Sequence, residues 1–322
     1  MQSTIGCSPV EDGRGRRVSY WRVRILVTND DGVRAPGIAA LVRALAGWVE
    51  QAGDDHELIV VAPLENHSGA SSAVGTVYER SAIDYERVQI EGAEHVPTYG
   101  LDASPALSVI VAMFGGFGSR PDVIVSGINL GANIGRSVLH SGTVGAVLTG
   151  GQMGARGLAV SLRVGPEPHP WETATTTALA VLPALLAAPS ATMLNLNLPA
   201  LALAELRGVR RGSISGAGLI KGANHQRSLD PSLEVGLGVN GGPFDGHSAD
   251  GRGEHGTVRL ELGSAVPATP GAFTLEAESD AGLLAAGFAS LTPLSGVGDD
   301  PSADAGSVVD TAIAHARLLL TP

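Results

Sequence analysis

Residues 24–32 are Arg24-Ile-Leu-Val-Thr-Asn-Asp-Asp-Gly32, an apolar run that ends abruptly in three polar side chains. The run up to Thr28 predicts a buried strand, and Asp-Gly is a turn signal that ends it. Side chains alternate along a strand, so Asp30 and Asp31 can share a target only where the chain turns, as Gly32 permits. Two carboxylates on a turn suit Mg²⁺ or Mn²⁺ better than zinc. For this segment alone, a solvated polar loop is an equally good interpretation.

Composition narrows the class of protein. With 322 residues, 44% of them hydrophobic, the chain can bury a large core as one domain or as a domain with an appendage. The net charge of −11 argues against a general affinity for nucleic acid polymers. Cys7 is the only cysteine, which excludes an intrachain disulfide and a cysteine-based zinc cluster. No apolar run reaches about 18 residues, so we expect no membrane span and a soluble cytoplasmic protein. Residues 1–20 are polar without an apolar export segment, and we interpret them as a disordered extension or a misassigned start.

Strand and helix patterns alternate through the first 200 or so residues. Predicted strands cover Arg24–Thr28, Leu58–Ala62, Asp122–Ser126, Leu158–Leu162 and Met193–Leu198. One predicted helix begins at Pro36, and three more cover Ser104–Phe114, Val144–Met153 and Glu172–Ala188. Short apolar strands joined by helices predict an α/β fold, with a parallel sheet covered by helices on both faces.

The composition changes after about Gly208, where Gly, Ser, Asn and Asp dominate up to Pro270. Such a long stretch is either functional or an extended arm that packs on another subunit. Later elements are predicted as strands at Val258–Leu262 and Phe288–Leu291 and a terminal helix at Val308–Leu320. We therefore divide the chain into the extension at 1–20, a core at 21–207 and a C-terminal extension at 208–322.

Polar side chains cluster just after the predicted strands. Asp30 and Asp31 follow the first, Ser68 with its neighbours Asn66 and His67 follows the second, and Asn129 and Asn133 follow the strand at 122–126. The carboxyl ends of a doubly wound sheet converge on one crevice, so this placement favours a metal-phosphate site. His67 and His140 could hold a proton or contact phosphate there, or be ordinary loop residues. His225, His247 and His255 lack the paired spacing of zinc ligands.

Ser141-Gly142-Thr143 precedes an apolar helix and has two interpretations. Ser or Thr at this place is a good N-cap, and free N–H groups at a helix start bind phosphate, although an ordinary capped helix explains the same pattern. The Gly-rich turn from Asn129 to Gly135 is neither a Walker motif nor a dinucleotide fingerprint. A nicotinamide-dependent oxidoreductase, which would use such a fingerprint to bind its dinucleotide, is therefore the weakest functional hypothesis for this chain; the two stronger ones are a phosphate-releasing hydrolase and a nucleotide-binding regulatory protein.

The residues resemble those of a known family, the SurE survival-protein 5′-nucleotidases. The resemblance runs roughly from Val23 to Leu294, and the pair Asn-Asp-Asp-Gly and Ser-Gly-Ile-Asn in this order is specific. Its segments are Ile25-Leu-Val-Thr-Asn-Asp-Asp-Gly-Val-Arg-Ala-Pro-Gly-Ile38, Val60-Val-Ala-Pro63, Ser68-Gly-Ala-Ser71, Pro121-Asp-Val-Ile-Val-Ser-Gly-Ile-Asn129, Ser141-Gly-Thr-Val-Gly145, Asn195-Leu-Asn-Leu-Pro199, Ser279-Asp280 and Gly287-Phe-Ala-Ser-Leu-Thr-Pro-Leu294.

The resemblance implies a Rossmann-like core, a C-terminal arm exchanged in a homodimer or homotetramer, and hydrolysis of phosphate from nucleoside monophosphates. It implies one divalent metal ion, Mg²⁺ or Mn²⁺, held by Asp30, Asp31, Ser68 and Asn129. We assign the catalytic role to Asp30 and Asp31. Phosphate binding is assigned to Asn129, Asn133, Ser141, Gly142 and Thr143. Leu107 stands where the family is usually acidic, and Arg136 where it often has Asp, which motivates a second hypothesis: a nucleotide-binding regulatory protein with weak or no turnover.

Overall fold

A computed structural model describes residues 23–52, 56–75, 77, 82–216, 220–227, 256–262 and 276–297. The strands are β1 Val23–Thr28, β2 His56–Pro63, β3 Tyr85–Arg87, β4 Thr98–Leu101, β5 Val123–Leu130, β6 Arg156–Leu162, β7 Met193–Leu198, β8 Val209–Arg211, β9 Ile220–Arg227, β10 Gly256–Leu262 and β11 Ala289–Leu294. The helices are α1 Pro36–Ala52, α2 Pro105–Met113, α3 Gly142–Gln152, α4 Trp171–Ala187 and α5 Asp280–Ala285. Short 3₁₀ helices lie at Gly135–His140 and Leu203–Glu205.

Nine strands form one sheet in the order β3-β4-β2-β1-β5-β6-β7-β11-β8. The six from β4 to β7 are mutually parallel, which confirms the predicted parallel α/β core. At the margins, β3 pairs antiparallel with β4 and β11 antiparallel with β7. The chain passes from β1 to β2 on one side and returns to β5 on the other. The switch point of the sheet therefore lies between β1 and β5, where such folds bind ligands.

Helices cover the described sheet on both faces because the strand side chains are apolar on both. Ile25 and Val27 of β1 pack in the cluster shared with α1 and α4, whereas Leu26 packs with α2 residues. The sequence places Ile38, Leu41, Val42, Leu45 and Val49 at helical spacing, and in α1 the first four are buried and Val49 is half-buried. None of the described helices combines the length and the hydropathy needed to cross a membrane.

The C-terminal part adds elements to this core. β11 and β8 extend the sheet beyond β7, and α5 packs beside them. The predicted strand at Val258–Leu262 is confirmed as part of β10, and the one at Phe288–Leu291 is confirmed in β11 from Ala289 onwards. β10 pairs with β9 in a separate two-stranded antiparallel sheet. The predicted extension at 1–20, the helix at Val308–Leu320, His247 and His255 lie outside the described residues.

Two predictions about boundaries were wrong. Asn129 was expected after its strand, but β5 continues to Leu130, so Asn129 belongs to the strand and pairs in register with Ser161 of β6. The helix expected from Val144 begins at Gly142, because the Ser141 hydroxyl accepts a hydrogen bond from the Val144 N–H at 3.1 Å and caps the first turn.

Candidate active site

The turn after β1 places two carboxylates at the switch point. Asp30 is buried and Asp31 half-buried. Gly32 has φ of +99°, a conformation that side chains disfavour, which explains why glycine follows the pair. The Asn29 side-chain amide donates to the Gly32 carbonyl oxygen at 2.8 Å and closes the turn. The carboxylates therefore stand on a short, internally bonded turn.

Asp30 faces the first turn of α3. Its Oδ1 accepts a 2.6 Å hydrogen bond from the Thr143 hydroxyl, which is fully buried. Gly142 is packed so closely that a Cβ there would lie 2.7 Å from the Asp30 Cβ. Burial raises the pKa of Asp30, and hydrogen bonds from the Thr143 hydroxyl and from backbone N–H groups, including those of Thr143 and Gly142, oppose this without cancelling it.

Asp31 faces the end of β5 instead. Its Oδ2 accepts a hydrogen bond from the Leu130 N–H at 3.2 Å, next to Asn129. Burial raises the pKa of Asp31, and the negative charge of Asp30 raises it further. None of the ion pairs among the described residues involves either carboxylate. The buried Asp30 and the half-buried Asp31 thus have no ion-pair partner in that part of the chain.

Neutral oxygen donors surround the carboxylates. The Asn129 side-chain nitrogen donates to the Gly131 carbonyl oxygen at 2.6 Å, which leaves its amide oxygen for other partners. The loop after β2 is tied to the site by the His67 N–H, which donates to the Asp30 carbonyl oxygen at 2.7 Å. Ser68 is exposed on that loop. In the described residues no three His, Cys, Asp or Glu side chains form a metal cluster, so a cation here would need such neutral donors.

Asn133 joins the site to strands further along the sheet. Its side-chain nitrogen lies 3.3 Å from the Thr143 hydroxyl and 2.8 Å from the Ser161 hydroxyl. Its carbonyl oxygen accepts hydrogen bonds from the Asn195 and Asn197 amides at 2.9 and 3.0 Å. The Asn197 side-chain oxygen in turn accepts the Asn133 N–H at 2.7 Å. The alternating asparagines of β7 were visible in the sequence as polar residues in an apolar strand, but their role was missed.

The remaining candidates lie near the site with different exposure. Ser141 is buried and used as a cap, whereas His140 and Arg136 are exposed on the 3₁₀ helix before it. The Ser71 N–H donates to the His140 carbonyl oxygen at 3.2 Å, so the loop after β2 borders this helix. Leu107, which stands where the family is usually acidic, is buried in the apolar cluster shared with other α2 residues.

A doubly wound sheet with paired carboxylates at its switch point defines the class of α/β proteins that commonly bind ligands at the carboxyl ends of the strands beside that point, which here are β1 and β5. Within that class, the chain belongs to the SurE family, because the family model described as Survival protein SurE matches residues 25–218. This confirms the resemblance drawn from the sequence.

Individual relatives support the same assignment. The chain is 39% identical over 195 residues to the 5′-nucleotidase SurE of Pseudomonas putida, covering 58% of this chain and 70% of the relative. It is 39% identical over 190 residues to the 5′/3′-nucleotidase SurE of Cronobacter sakazakii, covering 58% and 68%. The crystal structure of a SurE protein from Aquifex aeolicus superposes with a TM-score of 0.59 at 24% identity, over 84% of this chain and 92% of that one. That superposition supports the predicted α/β fold.

Proposed function

We propose that this chain is a metal-dependent phosphomonoester hydrolase that releases phosphate from nucleoside 5′-monophosphates. The observation that carries the proposal is the pair of adjacent carboxylates, the buried Asp30 and the half-buried Asp31, without an ion-pair partner among the described residues. Burying two negative charges side by side is costly unless a positive charge joins them. Relatives named as 5′-nucleotidase and 5′/3′-nucleotidase support the choice of substrate class.

The donor set fits a hard divalent cation. Carboxylate, amide and hydroxyl oxygens are the ligands that Mg²⁺ and Mn²⁺ prefer, and Asp30, Asp31, Ser68 and Asn129 are the residues that would hold the ion. When bound, such an ion supplies positive charge that polarises the P–O bonds of the substrate and makes a nearby water more acidic.

Side chains of the protein would accept the proton and orient the phosphate. The Leu130 N–H donates to Asp31 Oδ2, which leaves Asp31 Oδ1 without that partner. We propose that Oδ1 accepts a proton from the attacking water. As the water oxygen bonds to phosphorus, the ester P–O bond breaks and the leaving 5′-oxygen takes up a proton from solvent, while Asp31 afterwards returns its proton to solvent. Asn133 and the Ser141–Thr143 turn at the start of α3 would orient the phosphate oxygens.

A phosphate-release assay with a panel of nucleoside monophosphates tests the proposal. We expect release with Mn²⁺ or Mg²⁺, none with a chelator, and loss of release in Asp31→Asn. The matched control is Asp84→Asn, which removes an exposed carboxylate elsewhere. Wild-type protein that hydrolyses no nucleotide with any metal would refute the hydrolase. Tight nucleotide binding in that case would favour the regulatory protein, which is motivated by Leu107 and by the exposed Arg136.

Three finer features belong to the same proposal, the first two resting on the family resemblance and the third on the sequence pattern. They are Mg²⁺ or Mn²⁺ as the resident ion, a homodimer or homotetramer formed through the C-terminal arm, and a cytoplasmic location. Metal analysis of the purified protein, light scattering and cell fractionation test them separately.

A further inference from the structure

Asp280, the first residue of α5, is a fully buried carboxylate whose hydrogen-bond partners among the described residues are backbone N–H groups. Its Oδ2 accepts from Gly135 at 2.8 Å, and its Oδ1 accepts from Ser215 at 3.0 Å and from Ala281 at 2.7 Å. None of the ion pairs in the described part of the chain includes it. Three N–H groups from separate segments thus converge on one acidic side chain.

The contacts fasten the C-terminal segment on both sides. The Asp280 N–H donates to the Ser213 carbonyl oxygen at 2.8 Å, and the Ser213 N–H donates to the Glu278 carbonyl oxygen at 3.1 Å. Beside the carboxylate, Ile134 packs against Ala281 and Leu284 in a small buried cluster. The turn that contains Ile134 and Gly135 is therefore held by polar and apolar contacts at the same place.

That turn carries Asn133, which lies two residues before Gly135. The Asn133 side chain reaches the Thr143 hydroxyl, and this hydroxyl donates to Asp30. β7 holds the Asn133 backbone from one side through Asn195 and Asn197. Asp280 holds the same turn from the other side, through the Gly135 N–H. A continuous path of contacts therefore runs from α5 to the candidate catalytic carboxylate.

We propose that Asp280 is a positioning residue for this site, holding the turn at Gly135 so that Asn133 keeps its contact with Thr143 beside Asp30. The inference rests on the proposed function. It also assigns a role in the site to a segment beyond residues 25–218, the part matched by the family model. A carboxylate suits the place because it offers two acceptor oxygens, whereas an asparagine would turn N–H donors towards N–H donors.

A double-mutant cycle on nucleoside monophosphate hydrolysis tests this role. We expect Asp280→Asn to lower kcat/KM roughly 10- to 100-fold, as changes in groups that orient ligating side chains do. In an Asn133→Ala background, Asp280→Asn should lower kcat/KM by less than about 3-fold, because the side chain that Asp280 positions is already absent. A loss of that size is close to the error of additivity for independent sites. The control Glu278→Gln removes an exposed neighbour of Asp280 and should leave kcat/KM unchanged.

The outcomes separate this inference from the proposed function. Inactive wild-type protein would refute the hydrolase itself. Active wild-type protein with equal losses from Asp280→Asn in both backgrounds would overturn the positioning role, because a purely structural residue acts independently of Asn133. If Asp280→Asn does not fold, Ile134→Val loosens the same turn by one methylene, and its loss of kcat/KM must likewise vanish in the Asn133→Ala background.

Discussion

Thr143→Val removes one hydroxyl from the site with almost no change in shape. The Thr143 hydroxyl is fully buried and donates to Asp30 Oδ1 at 2.6 Å. A buried hydrogen bond to a charged group contributes about 1.5 to 3 kcal/mol. If the transition state depends on that orientation of Asp30, kcat/KM falls by roughly 10- to 150-fold, since each 1.36 kcal/mol is tenfold.

The same substitution should displace the pH profile. The Thr143 hydrogen bond lowers the pKa of Asp30 against the larger effect of burial, so its loss raises that pKa further. Because the proposed role of Asp30 needs the ionised form, the acid limb of the kcat/KM profile should move to higher pH. Thermal unfolding with a chelator should also show a lower melting temperature near neutral pH.

Two variants control for the change in side-chain type. Thr149→Val makes the same substitution in α3, where the hydroxyl donates to the Gly145 carbonyl oxygen at 2.7 Å, and kcat/KM should stay within about twofold because surface and non-site changes are mild. Thr143→Ser keeps the hydroxyl and should keep most activity. An unchanged acid limb and unchanged kcat/KM in Thr143→Val would refute the reasoning, because the hydrogen bond would then be irrelevant to Asp30.

Other perturbations follow from the same geometry. Gly142→Ala places a methyl 2.7 Å from the Asp30 Cβ and should destabilise the protein by about 1 to 3 kcal/mol, with loss of phosphate release. The control Gly47→Ala adds a methyl in α1 that meets no atom within 4 Å, and it should stabilise the protein by roughly 0.5 to 1 kcal/mol in thermal melts. Burial and the charge of Asp30 raise the pKa of Asp31, so the folded state holds that proton more tightly than the unfolded state. The free energy of unfolding of the metal-free protein should therefore fall as pH rises from 3.8 through the raised pKa and stay lower above it, as urea melts across pH would show. Asp31→Asn should remove this component, melting higher than wild type at pH 7 in chelator while losing the rise in melting temperature on adding Mn²⁺; a lower melting temperature would contradict the assignment.

The sequence predicted the central sheet well because its signals are local. Apolar runs of strand length recur between helical patterns; β1, β2, β6 and β7 each contain the predicted run, and β5 contains all of its run except Asp122. Small polar residues at the strand ends also predicted the switch-point site, since parallel strands bring their carboxyl ends together. The turn after β1 was predictable down to the role of Gly32.

Contacts between distant segments left no comparable signal. β3 and β4 have only three and four residues, and the three in β3 are exposed, so neither produces a clear pattern. Asp280 and Gly135 are 145 positions apart, and no periodicity along one chain indicates such a pair. The Ser141–Thr143 pattern predicted groups free for phosphate, whereas in the structure the Thr143 hydroxyl and nearby N–H groups are directed at Asp30.

That last difference explains how the site holds its charges. The start of α3 supplies N–H groups, and the positive end of the helix dipole, to a carboxylate from the same chain. These contacts offset part of the cost of burying Asp30, but the pKa of both aspartates remains raised, so the compensation is incomplete. A divalent cation held by both carboxylates, as proposed above, would complete it.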